Sequence, residues 1–151
     1  MSGSAFRFRL ERVRVVRERK EKLAQRELAD AISRRTSTVA ELQSAEDRVE
    51  HARAQQRRAG EGSAVSATDL LAHQVFLERT EAQRGARARE LEQREAEVAE
   101  RDAELVTAAS EHEMLERLRE RRRGEHLREV ARLELGALDE IAAARFGRSR
   151  A

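Results

Sequence analysis

The sequence predicts an all-α chain, a long antiparallel two-helix coiled-coil hairpin with a protruding C-terminal helical extension. Three observations carry this. The 151 residues contain no proline, the residue that breaks helix interiors by removing a donor and clashing one turn back. Charged residues make up 40% of the chain and aromatics 3%. Bulky side chains are therefore too few for a compact core, and the apolar surface must be spread along an extended seam. Finally, apolar residues recur at heptad spacing on both sides of a single Gly-Ser break. We read residues 1–151 as one coiled-coil domain, with helix one over about 6–58, a loop over about 59–67 and helix two over about 68–146.

Met1 to Ala5 are small residues expected to fray. Phe6, Phe8 and Leu10 then alternate with Arg7 and Arg9. Period two is strand-like, but nothing else in the chain offers a partner strand. The segment reads as the start of helix one, with both phenylalanines packing near the open end of the hairpin. An amphipathic membrane-surface anchor is the rival reading. From Leu10 onward the spacing is helical. Leu28, Leu42 and Val49 share one heptad position, and Ala31, Ala45 and Ala52 share its companion. Arg35 and Thr38 interrupt this seam, and Arg35 must snorkel outward along its stem.

The break lies at residues 59–66. Gly60 and Gly62 are expected to stop helix one, since glycine takes the left-handed position after a helix end at no steric cost. Ser66 with Asp69 three residues on, or Thr68 alone, can cap the next helix. A phosphate-binding loop is excluded, because no strand precedes the glycines and no Lys-Ser/Thr step follows. In helix two, Leu70, Leu77, Leu91, Val98 and Leu105 repeat every seven residues, with Arg84 as the polar intruder and Ala88 and Ala109 at the companion position. The stripe resumes at Met114, Leu115 and Leu118, then Leu127, Val130, Leu133, Leu138 and Ile141. Gly85 costs about 1 kcal/mol relative to alanine. Gly124 and Gly136 are the expected weak points, Gly147 the expected end, and Arg148 to Ala151 a frayed tail.

A loop of about eight residues between long helices favours an antiparallel hairpin. With the turn centred on Gly62, facing positions add to about 125, which sets Leu10 by Leu115 and Leu28 near Val98. Charge supports such a pairing. Residues 88–105 hold seven acids against three arginines, and residues 20–37 hold five bases against three acids. Each exposed pair contributes only a few tenths of a kcal/mol, but the sum selects a register. The same pairing gathers two basic runs at the open end. Residues 7–26 hold nine bases and three acids, and Arg119, Arg121, Arg122 and Arg123 fall opposite the very N-terminus. A positive end steers acidic partners toward it.

No chemistry is legible. There is no cysteine, which removes disulfides, thiol catalysis and thiolate metal sites together. No apolar run approaches the roughly 20 residues of a membrane span, and no signal-peptide core opens the chain, so we expect a cytoplasmic protein. His112-Glu113-Met114-Leu115-Glu116 departs from the zinc-protease pattern where Glu116 replaces the second histidine, and reads as an exposed helix histidine. His51, His73 and His126 are isolated. The glutamate-rich stretch has no cleft to tune a carboxylate for acid–base work. We expect no catalytic, metal or cofactor site, no cofactor and no small-molecule substrate.

Two stretches resemble the flagellar export protein family FliJ. At the start these are Phe6-x-Phe8-x-Leu10 and the Arg- and Glu-rich helix that follows. Near the end they are Leu115-Glu116-x-Leu118-x-Glu120-Arg121, then Glu134, the signature Leu138-Asp139-Glu140-Ile141-Ala142, and Arg145-Phe146. The resemblance implies a coiled coil similar to the stalk of rotary ATPases. It would bind and activate the hexameric export ATPase of the flagellar type III apparatus, link it to the membrane export gate, and assist export chaperones. It implies a position on the cytoplasmic face of the membrane at the flagellar base. By the same resemblance, ATPase contact is expected at Phe6, Phe8, Arg12, Leu115, Leu118, Arg121 and Arg122. Gate contact is expected at Phe76 and Leu77, although His73 and Thr80 stand where the family commonly has an aromatic and an aliphatic residue. The alternatives are a virulence-type stalk protein, a generic coiled-coil scaffold, or a basic helical nucleic-acid-binding protein. The last is disfavoured because no aromatics are placed to stack bases.

Overall fold

A computed structural model of the chain describes residues 5–62 and 66–148. It is all-helical, with no strand among the described residues. Two helices, α1 (Glu11–Glu61) and α2 (Ala67–Arg148), pack against each other antiparallel. Both run further than glycine punctuation suggested. Gly60 lies inside α1, and Gly85, Gly124, Gly136 and Gly147 lie inside α2. None of the described glycines takes a positive φ, so none uses the conformational freedom that would end a helix. Gly60 therefore does not stop α1, and Gly147 does not end α2.

At the other boundary, the expected helical start at Phe6 is corrected. Ala5 to Phe8 take no regular secondary structure and Arg9–Leu10 turn into α1. Glu11 N donates to Phe8 O at 3.1 Å and Arg14 N to Leu10 O at 2.9 Å. The period-two segment is neither a strand nor the start of α1; it is a non-helical lead-in that lies against α2. Ser66 caps α2 as expected: its Oγ accepts from Thr68 N at 3.2 Å, and its carbonyl accepts from Asp69 N and Leu70 N. The rest of the expected loop, 63–65, lies outside the described residues, as do most of the expected frayed ends, 1–4 and 149–151.

The chain forms two compact units, Leu23–Val106 and the pairing of Met1–Lys22 with Thr107–Ala151. In the first, α1 contributes a seam of small residues. Ala24, Ala31, Thr38, Ala45 and Ala52 recur every seven residues and are all buried, with Val49 beside them. Thr38 does not interrupt this seam but completes it. Its Oγ1 donates to Arg34 O, one turn back, at 3.1 Å, so the hydroxyl enters the interface already satisfied. Thr80 of α2 is buried in the same way, donating to Leu77 O at 2.9 Å. Leu77, Leu91, Val98 and Leu105 are half-buried along the facing side.

The register differs from the expectation. Arg35 meets Glu95, Arg53 meets Glu81 and Gln56 meets Gln74 in this unit, so facing positions add to about 130 rather than about 125. The cause is the turn. Because α1 continues through Gly60, its end falls later than the glycines implied, and the register moves with it. The acidic and basic runs still find each other, Arg34 on Glu97 and Arg35 on Glu95, with Glu27–Arg101 and Glu41–Arg87, of reversed polarity, on either side of them. In the second unit Arg14–Glu116 and Arg17–Glu111 give the same register, and Ala108 is the buried small residue of α2. Ala109, expected there, is only half-buried.

Candidate functional site

The unit that joins residues 5–22 to 107–148 is where the expected ATPase-contact residues fall. The non-helical chain from Ala5 to Leu10 forms a strap along α2. Phe6 and Phe8 are half-buried while Arg7 and Arg9 are exposed. The Phe6 ring meets His126 with centroids 5.8 Å apart and planes tilted by 42°. Phe6, Phe8 and Leu10 with Leu118, Arg122 and His126 line an open groove. A second, adjoining groove is lined by the strap together with Glu11, Arg12 and Arg119.

Beneath the strap an ion network ties α1 to α2. Arg14, its side chain only 14% exposed, donates through Nε and Nη2 to Glu11 and through Nη1 to Glu116 at 2.6 Å. Arg119 lies 3.7 Å from both of those carboxylates. The hydrogen bond from Arg14 holds the Glu11 carboxyl below the usual glutamate value, and the same bonds push the Arg14 guanidinium up. One turn away His112 is clamped: Nδ1 sits 2.6 Å from Glu21, and Nε2 lies 3.4 Å from a Glu116 oxygen yet is buried without a hydrogen bond. The expectation of an exposed His112 is therefore corrected. Its side chain lies at the interface because position 112 continues the Leu91–Val98–Leu105 heptad.

Of the expected ATPase-contact set, Phe6, Phe8, Leu118 and Arg122 come together in one groove, and Arg12 lies in the next. Leu115 is half-buried, and Arg121 is exposed outside both grooves. Arg7, Arg9, Arg12, Arg121 and Arg123 are all exposed and form no ion pair among the described residues. Positive charge here is left uncompensated, and two of these residues, Arg7 and Arg9, line the groove with Phe6, Phe8 and Leu118. The expected gate residues lie in the other unit. Phe76 is 47% exposed and Leu77 is half-buried at the seam. Thr80 is buried and so is no part of a surface patch, while Leu71 and Val75, which fall off the heptad and were not singled out, are exposed beside Phe76's turn. Leu138, Asp139, Glu140 and Ile141 lie exposed on the last stretch of α2. Sequence reasoning also missed Arg14 and His126. Glu11 and Glu18 at i−3 and i+4 signalled the first; nothing signalled the second.

The described residues hold no cluster of three metal-ligating side chains, and no helix among them is long and apolar enough to cross a membrane. The family model described as Flagellar FliJ protein matches residues 6–151.

The chain belongs to the flagellar FliJ family.

No curated protein and no solved structure shows significant similarity to it. FliJ membership makes the chain a component of the flagellar protein export apparatus, in a family whose role is non-catalytic. The match begins at Phe6, so the strap lies within the family's pattern and is not an appendage to it.

Proposed function

We propose that this FliJ-family chain is a stalk-like coiled coil that binds the hexameric flagellar export ATPase through its strap-bearing unit and raises its activity. What supports the reading is one juxtaposition. Phe6, Phe8, Leu118 and Arg122 share a groove with Arg7 and Arg9, which form no ion pair among the described residues, while Arg122 pairs only with Glu125 on its own helix. An apolar slot rimmed by uncompensated charge suits a protein surface that offers carboxylates around an apolar side chain. In this reading Arg12, Arg121 and Arg122 make the charged contacts, Leu115 and Leu118 the apolar ones, and Phe6 and Phe8 hold the strap in place. Phe76 and Leu77, with the exposed apolar residues beside them, meet the membrane export gate. The exposed face carrying Leu138 and Ile141 extends the ATPase-binding end. Export chaperones engage the same chain, which works peripherally at the cytoplasmic face of the flagellar base.

The test is ATP hydrolysis by the export ATPase with and without the chain. Two variants accompany it, one lacking residues 116–151 and one carrying Arg12→Glu with Arg122→Glu. Both replaced arginines are exposed, so the charge variant keeps its helices. Stimulation by the full chain, lost in both variants, is the expected result. Absence of stimulation together with failure to co-elute with the ATPase overturns the reading. Binding to bare nucleic acid that falls steeply with salt would then put the arginines to another use.

A further inference from the structure

The Leu23–Val106 unit carries a surface that neither the ATPase nor the gate reading uses. On one side of it Leu28, Ile32 and Val98 floor a shallow trough walled by Arg35, Glu95 and Asp102. Ile32 is 45% exposed, and Val39, one heptad further along the same side of α1, is 41% exposed. These large residues stay outside because the seam beside them is filled by alanines, which let the helices close before a bulky side chain can enter. The walls are acidic. Arg35 is already engaged with Glu95 at 3.4 Å. Asp102, and Glu92 one turn from Glu95, form no ion pair among the described residues.

We propose that this trough docks a basic amphipathic helix from a partner protein. The apolar stripe of that helix lies on Ile32 and Val39, and its Lys or Arg flank meets Glu92 and Asp102. Spacing and charge argue for this occupant. Ile32 and Val39 stand seven residues apart, the interval at which a third helix packing against two presents its own knobs. Along α1 the apolar run that starts in the trough at Leu28 and continues past it to Val39 spans about 16 Å, the length of roughly three helical turns. A second copy of this chain is a poor fit, since its equivalent face offers only Arg35, already paired. The acidic walls turn away anionic lipid and nucleic acid alike. None of these residues belongs to the strap-bearing unit, so the proposal stands or falls apart from the ATPase reading.

Two labelled synthetic helices test it by fluorescence anisotropy against the full chain. Both are about 20 residues long, enough for helix formation, and share one leucine stripe, flanked by lysines in one and by glutamates in the other. The variants are Ile32→Ser with Val39→Ser, and Glu92→Lys with Asp102→Lys. Far-UV circular dichroism checks that each keeps its helices. The lysine helix is expected to bind the unaltered chain and to lose about tenfold or more in affinity for each variant, as removal of anchor residues does. The glutamate helix is expected to gain affinity for the Glu92→Lys, Asp102→Lys chain. Equal binding of the lysine helix by all three chains overturns the proposal. So does a doubled mass of the unaltered chain that the serine variant abolishes, because the trough would then be a contact between copies.

Discussion

Ala31 has no exposed surface at all, and its place in a run of four alanines and one threonine makes side-chain size the controlling variable of the seam. A larger residue there cannot be accommodated without parting the helices. Ala31→Leu is expected to destabilise the chain by about 1–3 kcal/mol, the cost of overpacking, as read by urea unfolding. The same change at exposed Ala29 should fall within about 0.5 kcal/mol of the parent. The alanines were legible from sequence as the companion heptad position. Thr38 was not, because a hydroxyl looks polar on a heptad map even when its own helix satisfies it. His112 was misread for a related reason: its heptad position was weighed less than its polarity. Its clamp needs Glu21, 91 residues away in sequence, which no local pattern reveals.

At the level of the helices, proline absence and apolar periodicity determined type and number, whereas ends and register depended on backbone angles at glycines that composition does not disclose. Gly60 and Gly62 looked alike, yet only the first is helical. That one difference moves the pairing by several residues. The corrected register is directly measurable, since the chain has no cysteine of its own. Arg35→Cys with Glu95→Cys should be joined efficiently by a short bismaleimide, and Arg35→Cys with Glu90→Cys should not. Pairing also has a pH signature. The hydrogen bond from Arg34 keeps the Glu97 carboxyl below the ordinary value of 4.5. A folded-state value lowered in this way gives stability that is fully present above the ordinary value. That stability is lost as pH falls through it toward the folded one. Thermal melts taken from neutral pH down to about pH 3 should show a falling midpoint. Glu97→Gln, which has no such proton to gain, should show a shallower fall.

Across the whole molecule, opposite-charge runs foretold which segments of α1 and α2 would meet, and the basic runs foretold where positive charge would collect. Neither could show that the strap puts its aromatic side down and its arginines out, a result of alternation in five residues set against a helix more than 100 positions away. The exposed apolar residues of α2 from Leu127 to Phe146 carry a thermodynamic consequence. A helix of about 20 residues that buries little of its surface is marginal in water. Any partner that grips it must select the helical fraction, and the apparent dissociation constant rises as that fraction falls. Gly136 sits in the middle of the stretch, and a methyl group added there would touch nothing within 4 Å. Gly136→Ala should therefore tighten binding of whatever takes this face, by favouring the helix without adding a contact. Calorimetry would register the gain as a smaller entropic penalty on association.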